Sequence, residues 1–163
     1  MVKETHKSYA EFYSIVDDLL HAPDFVKLDL LKHHYGVSRM HHCINVAYYS
    51  YILCKKLHLD YRAVARAGLL HDLFHYECSK KRFGALRHAA IHPKLALRNA
   101  QKLTTLSKKE KDIIVKHMWL CSTAVPRYAE SYIVSCVDKY SAVAEAFYGM
   151  IQLCKLKFAL KSY

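Results

Sequence analysis

The stretch AGLLHDLFHYE, Ala67 to Glu77, sets His71, Asp72 and His75 in an otherwise apolar segment. Three ionisable side chains so close together are unusual there, because a polar group taken out of water without a partner is costly. An imidazole beside a carboxylate suits metal ligation, acid–base catalysis or a satisfied polar pair in a core. Among the other histidines and aspartates of the chain, His42, His92, His117 and Asp138 are candidates for the same chemistry. Asp138 points most strongly to a cation. Its neighbours one turn away, Val134, Ser135, Ser141 and Ala142, are apolar or small, and a buried carboxylate needs a cation, a metal or a network of donors. Together His42, His71, Asp72, His92, His117 and Asp138 offer four imidazoles and two carboxylates from five segments. Such a donor set suits Fe, Mn, Zn, Ni or Co better than Ca, and a carboxylate can bridge two ions.

Helices must position these residues. YAEFYSIVDDLL places Phe12, Ile15, Val16, Leu19 and Leu20 on one face, as a 3.6-residue period requires. FVKLDLLKHH continues apolar to YGVS, where Gly36 reads as a stop and Ser38 as the N-cap of the next helix. That helix, roughly 39 to 57, carries His42, Val46, Tyr49 and Leu53 along one stripe. Asp60 caps the helix that leads into the His71-Asp72 doublet. His75 lies one helical turn beyond His71, hence on the same side, as an acid, a phosphate contact, a donor to a ligand or a polar residue on the helix flank. Pro93 follows His92, and since proline is tolerated in a first turn, a helix begins near His92. Ser107 and Glu110 have the spacing of a capping box, leading to His117. Pro126 marks a connection, and a last long helix carries Asp138 near its middle. Strand-like alternation is absent, so the chain reads as all-α, with about seven helices.

At 163 residues the chain reads as one domain, 1–163, with a hydrophobic fraction of 53% and only 4 Gly and 3 Pro. The formal charge of +11 favours anionic partners: nucleotides, other phosphoesters or nucleic acid. A solvated basic surface without a specific ligand explains the same number. The chain has no apolar run of membrane-spanning length and no leader-like start, which implies no membrane partner and a cytoplasmic location. Its six cysteines are widely spaced, as reduced thiols would be. Tyr48, Tyr49 and Tyr51 are placed to stack on a base or to pack a core, and Trp119, near His117, to line a pocket.

His42, the doublet His71-Asp72 and the distant Asp138, in that order on helices, resemble the H…HD…D signature of the HD-domain metal-dependent phosphohydrolases. The local wording agrees: HHCINVAYYSYIL sets His42 four residues before Val46-Ala47, and AGLLHD runs into the doublet. Position relative to Val46-Ala47 selects His42 over His41. His92-Pro93 and His117 resemble the subgroup that holds two metals with six protein ligands. The resemblance covers roughly residues 36 to 149. It implies a helical HD-domain bundle that cleaves a phosphomonoester or phosphodiester, with a nucleotide as leading substrate, by metal-activated hydroxide attack on phosphorus. It further implies Asp72 as a bridge, His42, His71 and Asp138 on one ion, and His92 and His117 on the other. Two ions are expected, Fe or Mn first, with Ni, Co, Mg and Zn as alternatives. Arg or Lys would neutralise the phosphoryl oxygens. Arg39 and Arg127 are the preferred pair, with Lys80, Arg87, Lys81, Arg82 and Lys139 behind them. Asp72 and His75 are the catalytic candidates.

HDLFH also looks like a zincin H-E-x-x-H with Asp for Glu, but Asp is a methylene short and the motif leaves His42 and Asp138 unexplained. The Glu-Asp pair of guanosine tetraphosphate hydrolases is missing after the doublet, where LFHYE stands. No Gly-Tyr-Pro follows the later histidines, and His117-Met118-Trp119 departs from the diadenosine tetraphosphate hydrolase pattern. The substrate stays open. The rival of a different class is a non-catalytic basic helical module binding nucleic acid or a protein partner.

Overall fold

The computed structural model describes residues 2–31, 37–75 and 85–161, with side chains described over 6–31, 37–75 and 88–152. Among the described residues seven α-helices run in chain order: α1 (Val2–Leu20), α2 (Pro23–Val26), α3 (Arg39–Lys56), α4 (Tyr61–Leu70), α5 (Ala85–Leu103), α6 (Lys108–Lys116) and α7 (Ala129–Lys161), with a 3-10 turn at Lys27–Leu30. No strand occurs among the described residues, so the all-α reading holds. No helix among them is long and apolar enough to cross a membrane.

Side-chain caps set three of these boundaries. Ser38 Oγ accepts from His41 N at 3.3 Å to start α3, and Asp60 Oδ1 accepts from Ala63 N at 3.1 Å to start α4. Ser107 and Glu110 close a reciprocal capping box at the start of α6. Each such cap is worth about 1 kcal/mol because it satisfies a backbone donor the helix leaves orphaned. Gly36 lies outside the described residues.

Helices α3 and α4 cross at the centre of the core, where Val46, Ala47, Leu69 and Leu70 are buried. Gly68 permits the approach: a Cβ there would stand 3.0 Å from the Cα of Ala47. The buried face of α1 is the one its periodicity marks, with Phe12, Ile15, Val16 and Leu19 all buried. Arg66 ties α1 to α4 by donating to both carboxylate oxygens of Asp18, at 2.7 and 3.0 Å, and to the Ile15 carbonyl at 3.0 Å.

Three local expectations are corrected. The α3 stripe is rotated: Cys43, Val46, Ala47, Ser50 and Cys54 are buried, whereas Tyr49 and Leu53 are 53% and 43% exposed. Helix α5 begins at Ala85, not near His92, and continues through Pro93. Proline removes the donor that would serve the Ala89 carbonyl, and the His92 ring Nδ1 donates to the adjacent His88 carbonyl at 2.9 Å. Helix α4 stops at Leu70, so His71 and Asp72 occupy the turn after it. The next two carbonyls are taken from outside, Leu73 by Asn99 Nδ2 at 2.9 Å and Phe74 by Arg39 Nη1 at 2.6 Å.

Glu130, near the start of α7, joins the helices that carry the polar centre. Its carboxylate accepts from Asp60 N at 3.1 Å and pairs with Lys109 at 2.7 Å. Burial raises the Glu130 carboxyl, but the Lys109 bond and two backbone donors outweigh it and hold it below its ordinary value. A depressed folded-state pKa contributes stability above the unfolded value of 4.5 and loses it as pH falls through the folded one. Glu130→Gln is therefore expected to cost about 1–2 kcal/mol at pH 7. The gap to wild type should narrow below pH 4.5. Urea melts across that range measure it, and a pH-independent gap would contradict the charge-based account.

Candidate metal centre

The polar centre is assembled from helix ends and one helix middle. His42 lies in the first turn of α3, His71 and Asp72 just beyond α4, His92 in mid-α5, His117 at the end of α6, and Asp138 within α7. All six are buried. His42 Nε2 is 3.0 Å from Asp138 Oδ1, and His71 Nε2 is 3.5 Å from the same oxygen. His92 Nε2 and His117 Nε2 stand 3.3 and 3.6 Å from Asp72 Oδ1, and 2.8 Å from each other. Two triads, His42–His71–Asp138 and His71–Asp72–His117, have candidate ligand atoms within 4.8 Å of one another. His71 belongs to both.

Backbone carbonyls fix the orientation of three rings. His71 Nδ1 meets Gly68 O at 2.7 Å, His92 Nδ1 meets His88 O at 2.9 Å, and His117 Nδ1 meets Ile114 O at 2.7 Å. A carbonyl only accepts, so each Nδ1 carries the proton and each neutral ring presents a lone pair at Nε2. The Nε2 of His71 is buried and makes no hydrogen bond. Two such lone pairs 2.8 Å apart, on His92 and His117, repel unless a cation or a proton lies between them. These donors fit a divalent transition ion, which takes neutral imidazole and carboxylate.

Charge is organised to match. Burial lowers His42, but its bonds to Asp138 and Glu145 prevail and push it up to about 10. The metal-free ring is thus an imidazolium between two carboxylates, and a cation would replace the Nε2 proton. His71 is also raised, the nearby Asp72 and Asp138 carboxylates overcoming burial. His117 is pushed down to about 3 by burial first and then by the His71 and His92 rings packed around it. Desolvation raises Asp138, but the bond from His42 and the His71 ring close by outweigh it and hold the carboxyl well below its ordinary range.

Glu145, which no sequence motif singles out, braces a ligand. It stands 3.0 Å from His42 Nδ1 and is 9% exposed. Its signal was available: Glu145 follows Asp138 by seven residues, two helical turns, and therefore shares its face. Ser135 Oγ and Lys139 Nζ, at 2.6 and 2.9 Å from the His117 carbonyl, were likewise not anticipated as supports of a ligand.

Other candidates fall elsewhere. His75 does not share the side of His71, since the helix has ended; its exposed ring meets the Asp24 carbonyl at 2.8 Å. That placement also removes the zincin pairing of His71 with His75. Arg39 is 1% exposed, with its guanidinium 3.8 Å over the Phe74 ring and donating to the Phe74 carbonyl, so it braces the chain beyond the doublet. Arg127 is exposed in the connection to α7, its backbone N–H on Asp112 at 3.0 Å. The first residue of α7 beyond it, Ala129, precedes Asp138 by nine residues, roughly 14 Å at helical rise. Trp119 packs edge-on against Tyr132. Tyr48 stacks on Tyr9 and Tyr51 is core. Lys80, Lys81 and Arg82, and the side chain of Arg87, lie outside the described residues.

A family model described as "HD domain" matches residues 39–142. No curated protein and no solved structure matches the chain.

Proposed function

The chain belongs to the HD-domain family, and on that footing we propose that it is a metal-dependent phosphohydrolase cleaving a phosphomonoester or phosphodiester, with a nucleotide as substrate. The family as a whole is one of metal-dependent phosphohydrolases. The observation that carries the reading is the convergence of four imidazoles and two carboxylates, with the Nδ1 atom of each imidazole already engaged by a carbonyl or by Glu145. His42, His71 and Asp138 would hold one ion and His92 and His117 the other, with Asp72 shared. Fe or Mn suits this set, as do Ni, Co, Zn and, less well, Mg. Bound there, divalent ions supply a Lewis acid for the phosphoryl group and make hydroxide available near neutral pH.

The protein contributes preorganisation. Carbonyls at the ring Nδ1 atoms and Glu145 at His42 hold the imidazoles before substrate arrives, so little reorganisation is left for the reaction. Burial of all six side chains strengthens their electrostatic interactions. With Arg39 engaged on Phe74, the phosphate contacts fall to Lys80 and Arg87, which follow the doublet in the chain. The formal charge of +11 favours approach of an anionic substrate. The widely spaced cysteines agree with a cytoplasmic setting.

The test is elemental analysis of purified protein, followed by a panel of phosphomonoesters, diesters and nucleotides with Mn, Fe, Ni, Co and Mg added in turn. Bound metal and metal-dependent release of product are expected. Protein that binds no metal and hydrolyses nothing would instead favour the basic binding module.

A further inference from the structure

Helix α7 has one face that the fold uses and one that the described residues leave open. Asp138 and Glu145, two turns apart, are buried on the side bonded to His42 of α3. On the opposite side Cys136, Tyr140, Val143, Phe147 and Met150 follow one another in steps of 4, 3, 4 and 3 residues. Tyr140 is 73% exposed, Val143 69%, Phe147 61% and Met150 47%. Cys136 is exposed too. Alternating steps of three and four are the spacing of a seam along which one helix packs against another.

Charge and area say what fits that seam. Between Lys139 and Lys155 the one charged residue is Glu145, and it is bonded to His42 on the other side. Two copies of a chain of formal charge +11 repel, except where a face carries none of that charge, as here. Anionic lipid or nucleic acid would be met by Lys and Arg, which this stretch lacks. Tyr140, Phe147 and Tyr148, the last 62% exposed, carry rings worth roughly 150–250 Å2 each when fully buried, so they offer about 300–500 Å2 per copy. Val143, Met150 and Ile151 bring the face toward the roughly 800 Å2 per partner of a stable interface.

The seam also reads alike in both directions. With two copies antiparallel about a two-fold axis at position 145, Val143 falls opposite Phe147, Tyr140 opposite Met150 and Cys136 opposite Cys154. A parallel pair would align Lys155 and Lys157 with their own duplicates, whereas the antiparallel pair sets them at opposite ends.

We propose that this face of α7 seats a second copy of the chain, antiparallel, with Tyr140, Val143, Phe147 and Met150 at the core of a two-fold dimer.

Sedimentation velocity of the 163-residue chain tests it, at about 50 μM, above the weakest micromolar Kd expected of such an area. The species should have twice the 18.9 kDa of one chain. Phe147→Glu should weaken association by about 30-fold or more, since it sets two like charges into one apolar seam. Its side chain is largely exposed, so circular dichroism should show helix content unchanged. Leu30→Glu, at an 83% exposed position outside α7, should leave the dimer intact. A short bismaleimide with peptide mapping reads the orientation in wild type, whatever the fate of the variant. Cys136 and Cys154 are 18 residues apart, roughly 27 Å along one helix, so a link between them joins two copies. A wild-type monomer, or a Phe147→Glu dimer of undiminished strength, overturns the proposal. A monomer that instead sediments with phosphatidylcholine vesicles overturns it in favour of a lipid surface. A dimer without the Cys136–Cys154 link overturns the antiparallel arrangement.

Discussion

Asp72→Ala is expected to reduce phosphoester hydrolysis by about a thousandfold or more, roughly 4 kcal/mol of transition-state stabilisation. The carboxylate stands 3.3 and 3.6 Å from the inward nitrogens of His92 and His117, and it follows His71 directly in the chain. It is the acidic side chain facing that pair, and it is 5% exposed, so solvent cannot replace its charge. Without it, three imidazoles crowd one another with His71–His117 and His92–His117 ring centroids both 4.9 Å apart. Cation affinity should collapse at that end. His71→Ala should be as severe, because that ring belongs to both candidate triads. Parallel assays of metal content and turnover check the pair. An Asp72→Ala protein that keeps its metal and its activity would remove the basis of the proposed function.

Arg39→Ala carries the largest expected effect on stability, about 3–5 kcal/mol, or a drop in Tm on the order of 10 °C. Three losses combine. The variant gives up a charged hydrogen bond to a buried carbonyl, it gives up a cation–π contact, and it opens a cavity where a fully buried side chain had been. Arg39→Lys should recover little, since an ammonium lacks the planar fork that lets the guanidinium stack on Phe74 and donate to the same residue. Phe74 is two residues beyond Asp72, so loosening it should also weaken metal binding. Thermal melts of both variants measure the first effect. Wild-type stability in Arg39→Ala, together with a raised KM, would return Arg39 to the substrate-binding role its sequence position suggests.

Much of the fold was legible because it is dictated locally. Apolar residues at a 3.6-residue period marked the buried face of α1. Side-chain oxygens placed before apolar runs marked Ser38, Asp60 and Ser107, and each caps its helix. The six candidate ligands were legible for another reason: a carboxylate such as Asp138 among small and apolar neighbours is too costly to bury without a cationic partner. Their order along the chain was sufficient for the family resemblance.

Local rules failed where side chains took up carbonyls outside the expected pattern. Pro93 does not mark a helix start: α5 already runs through it, and the His92 ring of the same helix takes the His88 carbonyl. Periodicity could not show that α4 stops at Leu70, since the carbonyls beyond are taken by Asn99 and Arg39 from other helices. That single difference turned His75 away and converted Arg39 from a phosphate contact into a brace. Sequence alone determined which residue types were available to hold a cation, because ligand chemistry belongs to the side chain. Only the tertiary structure decided which nitrogen of each ring faces inward and which His is braced by a carboxylate. Those choices depend on hydrogen-bond partners that are distant in sequence and adjacent only after packing, as Glu145 and His42 are across 103 residues.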